Sequence, residues 1–259
     1  RARNPQAGVM LKAVAGGGGR GMRLVTEAAQ LPQAYERCRA EALAAFGVAD
    51  VYAERLIQRA RHIEVQVIGD GRQAMALGER DCTLQRRFQK LVEIAPSPGL
   101  NPALRERLIG SALTLARAAG YRSLGTFEFL VDEASADLPL VFIEANPRLQ
   151  VEHTITEAVT GVDLVQAQIA IAAGQSLAAI GLDPQHPPAT RGFAVQWRVN
   201  AETLDVSGQA KPSSGTLSLC DWPQGPGIRV DTHARAGQAP SPHHDTLLAK
   251  LIVWHPGRF

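Results

Sequence analysis

"GTFEFLVDEASADLPLVFIEAN", residues 125–146, holds two apolar runs, each with a glutamate set among large hydrophobic side chains. Glu128 lies between Phe127 and Phe129, and Glu144 follows Phe142 and Ile143. An acid inside an apolar strand is costly unless something cationic meets it. The runs read as two strands joined by the polar loop 132–138. Period-two alternation puts Glu144 and Asn146 on one face, and pairing the strands as neighbours brings Glu128 across from them. Three oxygen-bearing side chains then converge. One or two carboxylates, with the rest of the shell left to water and phosphate, is how proteins hold nucleotide-bound Mg2+. The competing reading, both glutamates on a solvent face or paired with arginines, suits a single acid better than two with an asparagine.

A second stretch also points to phosphate. "AVAGGGGRGMRLV", residues 13–25, places Gly16, Gly17, Gly18 and Gly19 in series. Glycine loses more backbone entropy on folding than any other residue, so such a run is costly unless the backbone itself must touch something. Gly16, Gly18 and Gly21 match G-x-G-x-x-G, but a dinucleotide-binding turn needs a helix opening at the third glycine, and Met22–Val25 reads as strand. A Walker loop fails because no Lys-Ser or Lys-Thr follows. The remaining reading is a glycine-rich flap between two antiparallel strands, closing over nucleotide phosphates with its N–H groups while Lys12 adds a point charge.

The rest of the chain is consistent with a globular α+β protein. It has 259 residues, 45% hydrophobic, with a formal charge of +2. That charge is too small to argue for nucleic acid or a membrane surface. Cys38, Cys82 and Cys220 are odd in number and far apart, which argues for a reducing compartment, and the expectation is a cytoplasmic protein. No run approaches the ~18–20 apolar residues of a membrane span. The start lacks methionine, and the chain stops after a strand-like run, so it reads as a piece of something longer. From Thr26 a helix is predicted with Leu31, Tyr35, Cys38, Ala42 and Ala45 on its stripe. Another covers 102–119 with Leu104, Leu108, Ala112 and Leu115. The turn Gly69-Asp70-Gly71 marks a hairpin with His62, Glu64 and Gln66 on one face and Ile63, Val65 and Val67 on the other. Thr154 with Glu157 suggests a capping box, and Asp163–Ala173 a further helix. Strands with Gly/Pro turns follow the connector "DPQHPPATR".

Three separated motifs, "AGGGGRGMR", "GERDCTLQRRFQK" and "EANPRLQVEHTITEAVTGVDLVQAQIAIAAGQ", occur in the order in which they occur in the biotin carboxylases, which the chain resembles over essentially its whole length. The resemblance implies an α+β, ATP-grasp fold: a partial lid with its flap at 1–56, a catalytic domain with a central antiparallel sheet and helices at 57–182, and the start of the β-rich C-terminal region at 183–259. It implies absence of the family's first domain, of an ATP-contacting lysine ahead of the lid and of the final helices, so that the isolated piece is expected to be inactive.

The implied chemistry is phosphorylation of bicarbonate by ATP to carboxyphosphate, whose CO2 is captured by biotin on a carrier protein. By resemblance, Lys12, Gly16, Gly17, Gly18 and Gly19 contact the triphosphate, Glu54 and Leu56 lie at the adenine hinge, and His62 and Gln85 contact nucleotide. Glu128, Glu144 and Asn146 hold Mg2+ or Mn2+, with both glutamates also counted among the ATP contacts. Lys90, Arg148, Gln150, the Val151 backbone and Glu152 receive bicarbonate, with Glu152 as general base, and Arg198 lies near the biotin ureido oxygen. Lys90, Arg148, Glu152 and Arg198 are the expected catalytic set. Implied partners are a biotin carboxyl carrier protein or domain, a carboxyltransferase subunit or domain, and further copies of the intact protein in a homo-oligomer. The sequence departs from the family's pattern at Arg55, where lysine is usual, at Phe88, where many members have histidine, and at Pro147, where a small polar residue is usual. "AETLDVSGQAKPSSG" (201–215) is more like the large single-chain acyl-CoA carboxylases, and His243 and His244 read as ordinary loop residues. Two alternatives stand beside this reading: another ATP-grasp ligase, forming carbamoyl phosphate or a peptide bond, and a nucleotide-binding module that has lost catalysis.

Overall fold

The computed structural model describes residues 8–16, 21–57, 59–86, 89–132, 135, 139–206, 209–241 and 245–257. The chain divides into two compact units, residues 1–60 with 86–89, and residues 61–85 with 90–259.

In the first unit, β1 (Val9–Ala13), β2 (Met22–Val25) and β3 (Val51–Arg55) form an antiparallel sheet in the order β2-β1-β3. A 3-10 turn at Ala28–Gln30 leads into α1 (Leu31–Phe46), which carries Pro32 at its start, where a missing N–H costs nothing. Gly47, at φ +73°, ends α1 by donating its N–H to Leu43 O at 2.9 Å. Leu11, Val25 and Cys38 form the core of this unit. Of the expected stripe only Cys38 and Ala42 are buried; Leu31, Tyr35 and Ala45 are exposed. The three-stranded sheet offers a narrow face, and only the middle of the helix, at Cys38 and Ala42, is buried.

The glycine stretch does run from strand to strand. β1 and β2 pair from Val9↔Val25 to Lys12↔Met22, leaving no helix at the third glycine. Gly21 needs to be glycine: its φ is +69°, and an added Cβ would lie 2.7 Å from the Ala13 Cβ. Its N–H donates to Glu41 Oε1 at 3.2 Å, and its carbonyl accepts from Ala13 N at 2.8 Å and from the Cys38 thiol at 3.1 Å. The return of the loop is thus fastened to α1. Gly17, Gly18 and Gly19 lie outside the described residues.

The second unit is built on an eight-stranded sheet, β12-β13-β9-β6-β5-β4-β7-β8, antiparallel at each described pairing. Its strands are β4 (Arg61–Asp70), β5 (Ala74–Arg86), β6 (Gln89–Ala95), β7 (Arg122–Val131), β8 (Leu140–Asn146), β9 (Phe193–Asn200), β12 (Ile228–Thr232) and β13 (Leu247–His255). A short hairpin, β10 (Glu202–Leu204) with β11 (Ala210–Pro212), stands apart from the sheet. Among the described residues this unit also holds three α-helices, α2 (Pro102–Ala118), α3 (His153–Thr160) and α4 (Leu164–Ala172), and a 3-10 turn at Ala178–Ile180.

Alternation along β4 divides the two faces. Ile63, Val65 and Val67 pack with Phe127 and Phe129 against Leu104, Leu108, Ala112 and Ala116 of α2. On the other face Ile68, Met75, Leu77 and Leu124 meet Leu164, Ala167 and Ile171 of α4. The α2 stripe therefore ends at Ala116 and not at Leu115, which is exposed, because the last turn follows the 3.6-residue period in steps of four. The expected capping box does not form. Glu152 is the N-cap of α3, the Thr154 hydroxyl donates to Gln196 Oε1, and Glu157 Oε1 accepts from Leu164 N at the start of α4. A buried side-chain acceptor and the next helix's unsatisfied N–H outcompete the local pair. Among the described residues no helix is long and apolar enough to cross a membrane.

Candidate active site

In the first unit, Lys12 Nζ lies 2.6 Å from Glu54 Oε2. The register Met10↔Glu54 and Lys12↔Tyr52 makes Lys12 and Glu54 diagonal neighbours on one sheet face. Gly16 donates to Ala13 O at 3.0 Å, and Leu56 donates to Gly8 O at 3.0 Å.

In the second unit the α2-distal face of β4 changes from apolar to charged toward the start of that strand. Cross-strand register places Glu128 of β7 opposite both Glu64 of β4 and Glu144 of β8. Asn146 Nδ2 donates to Glu128 Oε1 at 2.8 Å and to Glu144 Oε1 at 3.2 Å, so the expected trio meets at one corner with its outer member, Glu144, exposed. The other Glu128 oxygen meets His62 Nε2 at 2.5 Å, and the far ring nitrogen of His62 lies 2.7 Å from Gln85 Nε2. Burial raises the Glu128 carboxyl, but the His62 bond, Lys90 and Gln150 outweigh it and hold the group at about 2.

Lys90 is the centre of the cluster. Its ammonium donates to Glu64 Oε2 at 2.6 Å, Glu152 Oε1 at 2.7 Å, Glu128 Oε1 at 3.2 Å and Gln150 Oε1 at 3.3 Å. Burial would discharge it, but the surrounding carboxylates reverse this and push its pKa well up. Glu152 is bridged between two cations, since its second oxygen accepts from Arg198 Nη2 at 3.0 Å. Arg198 in turn donates through Nε to Glu93 Oε1 at 2.6 Å. At the other end, the fully buried Arg80 donates to Glu64 Oε1 at 2.6 Å, and to Gln66 Oε1 and the Thr156 hydroxyl, each at 2.8 Å. Arg80, Glu64, Lys90, Glu152, Arg198 and Glu93 thus alternate in sign along one continuous row.

Of the residues expected to receive bicarbonate, Lys90, Gln150 and Glu152 meet directly. Arg148 does not: it is exposed, with Nη1 donating to Leu149 O at 3.3 Å. The Val151 carbonyl accepts from Lys250 Nζ at 3.2 Å. Phe88, His243 and His244 lie outside the described residues.

Residues 2–180 match the family model for the ATP binding domain of the carbamoyl-phosphate synthase L chain, and residues 196–259 match that for the biotin carboxylase C-terminal domain. The chain belongs to the biotin carboxylase family. Its second unit is the ATP-grasp-like α+β sheet of the solved biotin carboxylases. Pyruvate carboxylase 1 of Caenorhabditis elegans is 48% identical over 247 residues, covering 95% of this chain and 20% of that protein. The biotin carboxylase of Campylobacter jejuni, solved with a β,γ-ATP ligand, superposes with a TM-score of 0.88 at 40% identity, covering 97% of this chain and 54% of that one. The biotin carboxylase domain of Hydrogenobacter thermophilus 2-oxoglutarate carboxylase, solved as a dimer with MgADP, ADP and bicarbonate, gives a TM-score of 0.86 at 45% identity, covering 96% of this chain and 53% of that one. The chain therefore spans about a fifth to a half of the relatives it matches.

Sequence reasoning singled out neither Arg80 nor Glu93 as a functional residue, and it gave Glu64 only a strand face. The pattern that marked Glu128 was present for both acids: Glu64 in "HIEVQV" and Glu93 in "KLVEIA" are also acids inside apolar strands. Arg80 is the cross-strand partner of Glu64 in the β4–β5 hairpin, whereas only the strand order, which sets β6 beside β9, identifies the cation of Glu93.

Proposed function

We propose that the protein containing this chain carboxylates biotin on a carrier protein or domain, using ATP and bicarbonate by way of carboxyphosphate, as the first half-reaction of a biotin-dependent carboxylase. A carboxyltransferase and a homo-oligomeric intact protein belong to the same proposal. The observation that carries it is Glu152, whose two oxygens are held by two different cations, Lys90 at 2.7 Å and Arg198 at 3.0 Å.

Bicarbonate is a small planar anion. Lys90 supplies charge for it, and Arg148, exposed and outside the internal network, supplies a planar fork able to hold it by two parallel bonds. Bicarbonate must lose its proton before its oxygen attacks the γ-phosphorus, and Glu152 is the general base for that step. A proton arriving on Glu152 loosens its grip on Arg198, so the guanidinium becomes able to stabilise the negative charge that develops on the ureido oxygen when biotin loses its own proton. Lys12, with Gly16 and the rest of the flap, neutralises charge on the transferring phosphoryl group.

The corner formed by Glu128, Glu144 and Asn146 fits a hard divalent cation. Two carboxylates converge there on a single amide N–H donor, and turning that amide over presents a third oxygen. Mg2+ or Mn2+ held there would screen the nucleotide phosphates. His62, Glu64 and Glu128 also cluster closely, but Glu64 is already held by Arg80 and Lys90, so a cation there must displace an ammonium.

The test is phosphate release from ATP by the full-length protein, with and without bicarbonate and free biotin. Bicarbonate-dependent release together with formation of carboxybiotin is the expected result. Release that ignores bicarbonate points to another ATP-grasp ligase, and nucleotide binding without release points to a binding module.

A further inference from the structure

Arg198 is held from behind by a residue that the reaction scheme above leaves unused. Glu93 is completely buried in β6 and lies opposite Gln196 of β9. Both of its oxygens are engaged: Oε1 accepts from Arg198 Nε at 2.6 Å and Oε2 from Gln196 Nε2 at 3.0 Å. Gln196 is itself fixed, since its Oε1 accepts from the Thr154 hydroxyl of α3. The Glu93 carboxylate therefore cannot rotate without breaking a chain of bonds anchored in a helix.

A guanidinium is a flat fork, and fixing one edge fixes its plane. With Nε on Glu93 and Nη2 on Glu152, Nη1 is the edge engaged by neither carboxylate. We propose that Glu93 is a positioning residue: it clamps the Nε edge of Arg198 so that Nη2 meets Glu152 and Nη1 is presented to the ureido oxygen of biotin. This rests on the reading of Arg198 given above. Deprived of Glu93, Arg198 keeps one anionic partner, Glu152. It is then free to turn about its single bond to that carboxylate, which removes the presented edge.

The groups facing Glu93 make this clamp sensitive to pH. Arg198 and Gln196 reach it from β9, and Glu152 from the turn before α3. Lys250 of β13 stands beside Arg198, and Lys90 lies on its own strand. Burial raises the Glu93 carboxyl, Arg198 offsets this only in part, and Glu152 adds to it, leaving Glu93 at about 7. The ionised form clamps more strongly than the protonated one.

Glu93→Gln and Glu93→Ala in the full-length protein test the inference, with folding checked by the thermal midpoint. Two rates are read: carboxylation of free biotin, and bicarbonate-dependent ATP cleavage without biotin. In Glu93→Ala, kcat and kcat/KM for biotin should fall together, at least about tenfold, with ATP cleavage held within about threefold. Glu93→Gln keeps the acceptor without the charge. Its biotin rate should stay at the level the parent shows below pH 6, flat to pH 8, whereas the parent rises through 7. Should the alanine variant fail to fold, the isosteric glutamine variant decides alone. Unchanged biotin kinetics in the variants, or an equal loss of both rates, overturns the positioning role. A parent that turns over no biotin overturns the proposed function itself, and the inference falls with it.

Discussion

Glu64 and Glu93 are both fully buried acids, and their neighbours drive them in opposite directions. Burial raises both, but Glu64 faces two cations, Arg80 and Lys90, and ends below the ordinary carboxylate range. Glu93 faces Arg198 alone and ends at about 7. A folded-state pKa above the unfolded one means that the folded protein holds the proton more tightly. The contribution of Glu93 to stability is then fully present below about 4.5 and is lost as pH rises through 7. The shift corresponds to on the order of 3 kcal/mol between the two ends of that window. Glu93→Gln cannot ionise, so thermal midpoints taken from pH 5 to pH 8.5 should converge with the parent at the acid end and exceed it at the alkaline end. The base assignment yields a different expectation. Glu152→Gln should abolish bicarbonate-dependent ATP cleavage while nucleotide affinity stays near the parent value, and an equal loss of ATP binding would refute the division of roles.

Asp70 shows how one side chain defines an element. In the turn between β4 and β5, Oδ1 accepts from Arg72 N at 2.9 Å and Gln73 N at 2.8 Å, while Oδ2 accepts from Leu177 N at 3.0 Å. These backbone bonds overcome burial and lower its pKa, so its contribution is present above the ordinary carboxylate range and is lost as pH falls through the depressed value. Asp70→Ala should cost about 1–3 kcal/mol at neutral pH, read as a lower urea midpoint, and the deficit should shrink on acidification. The hairpin itself was legible, because a turn signal between alternating runs is local information. So was the meeting of Glu128, Glu144 and Asn146, since adjacent strands joined by a short loop pair with each other. The capping box was misread for the opposite reason: the partner of Thr154 is Gln196, and no local pattern announces a bond across that distance. Arg198 and Glu93 were separated by the same blindness to remote pairing.

In the second unit, the strands late in the sequence are not an appendage. β9, β12 and β13 continue the sheet that carries the carboxylate corner. Ala95, Ile155, Val159, Ala194 and Ile252 form the cluster that fastens α3 to β6, β9 and β13, and α3 begins at Glu152. Stability and chemistry should consequently fail together there. Ile252→Ala, remote in sequence from every expected catalytic residue, should lower unfolding free energy by about 2–5 kcal/mol. Below the denaturation range it should also slow bicarbonate-dependent ATP cleavage. Loss of stability with unaltered turnover would show that α3 holds Glu152 in place without that support.

The alternating row from Arg80 to Glu93 also has a consequence for descent. Each inner member has a partner of opposite sign on either side, so a lone exchange leaves a buried ion uncompensated, and removing one partner of such a pair typically costs about 3–5 kcal/mol. Only coordinated exchanges of neighbours escape that penalty, and random mutation seldom delivers them together. Lineages carrying this domain should therefore diversify around the row while its four inner residues stay locked, and ancestors rebuilt from their descendants should differ almost everywhere else first.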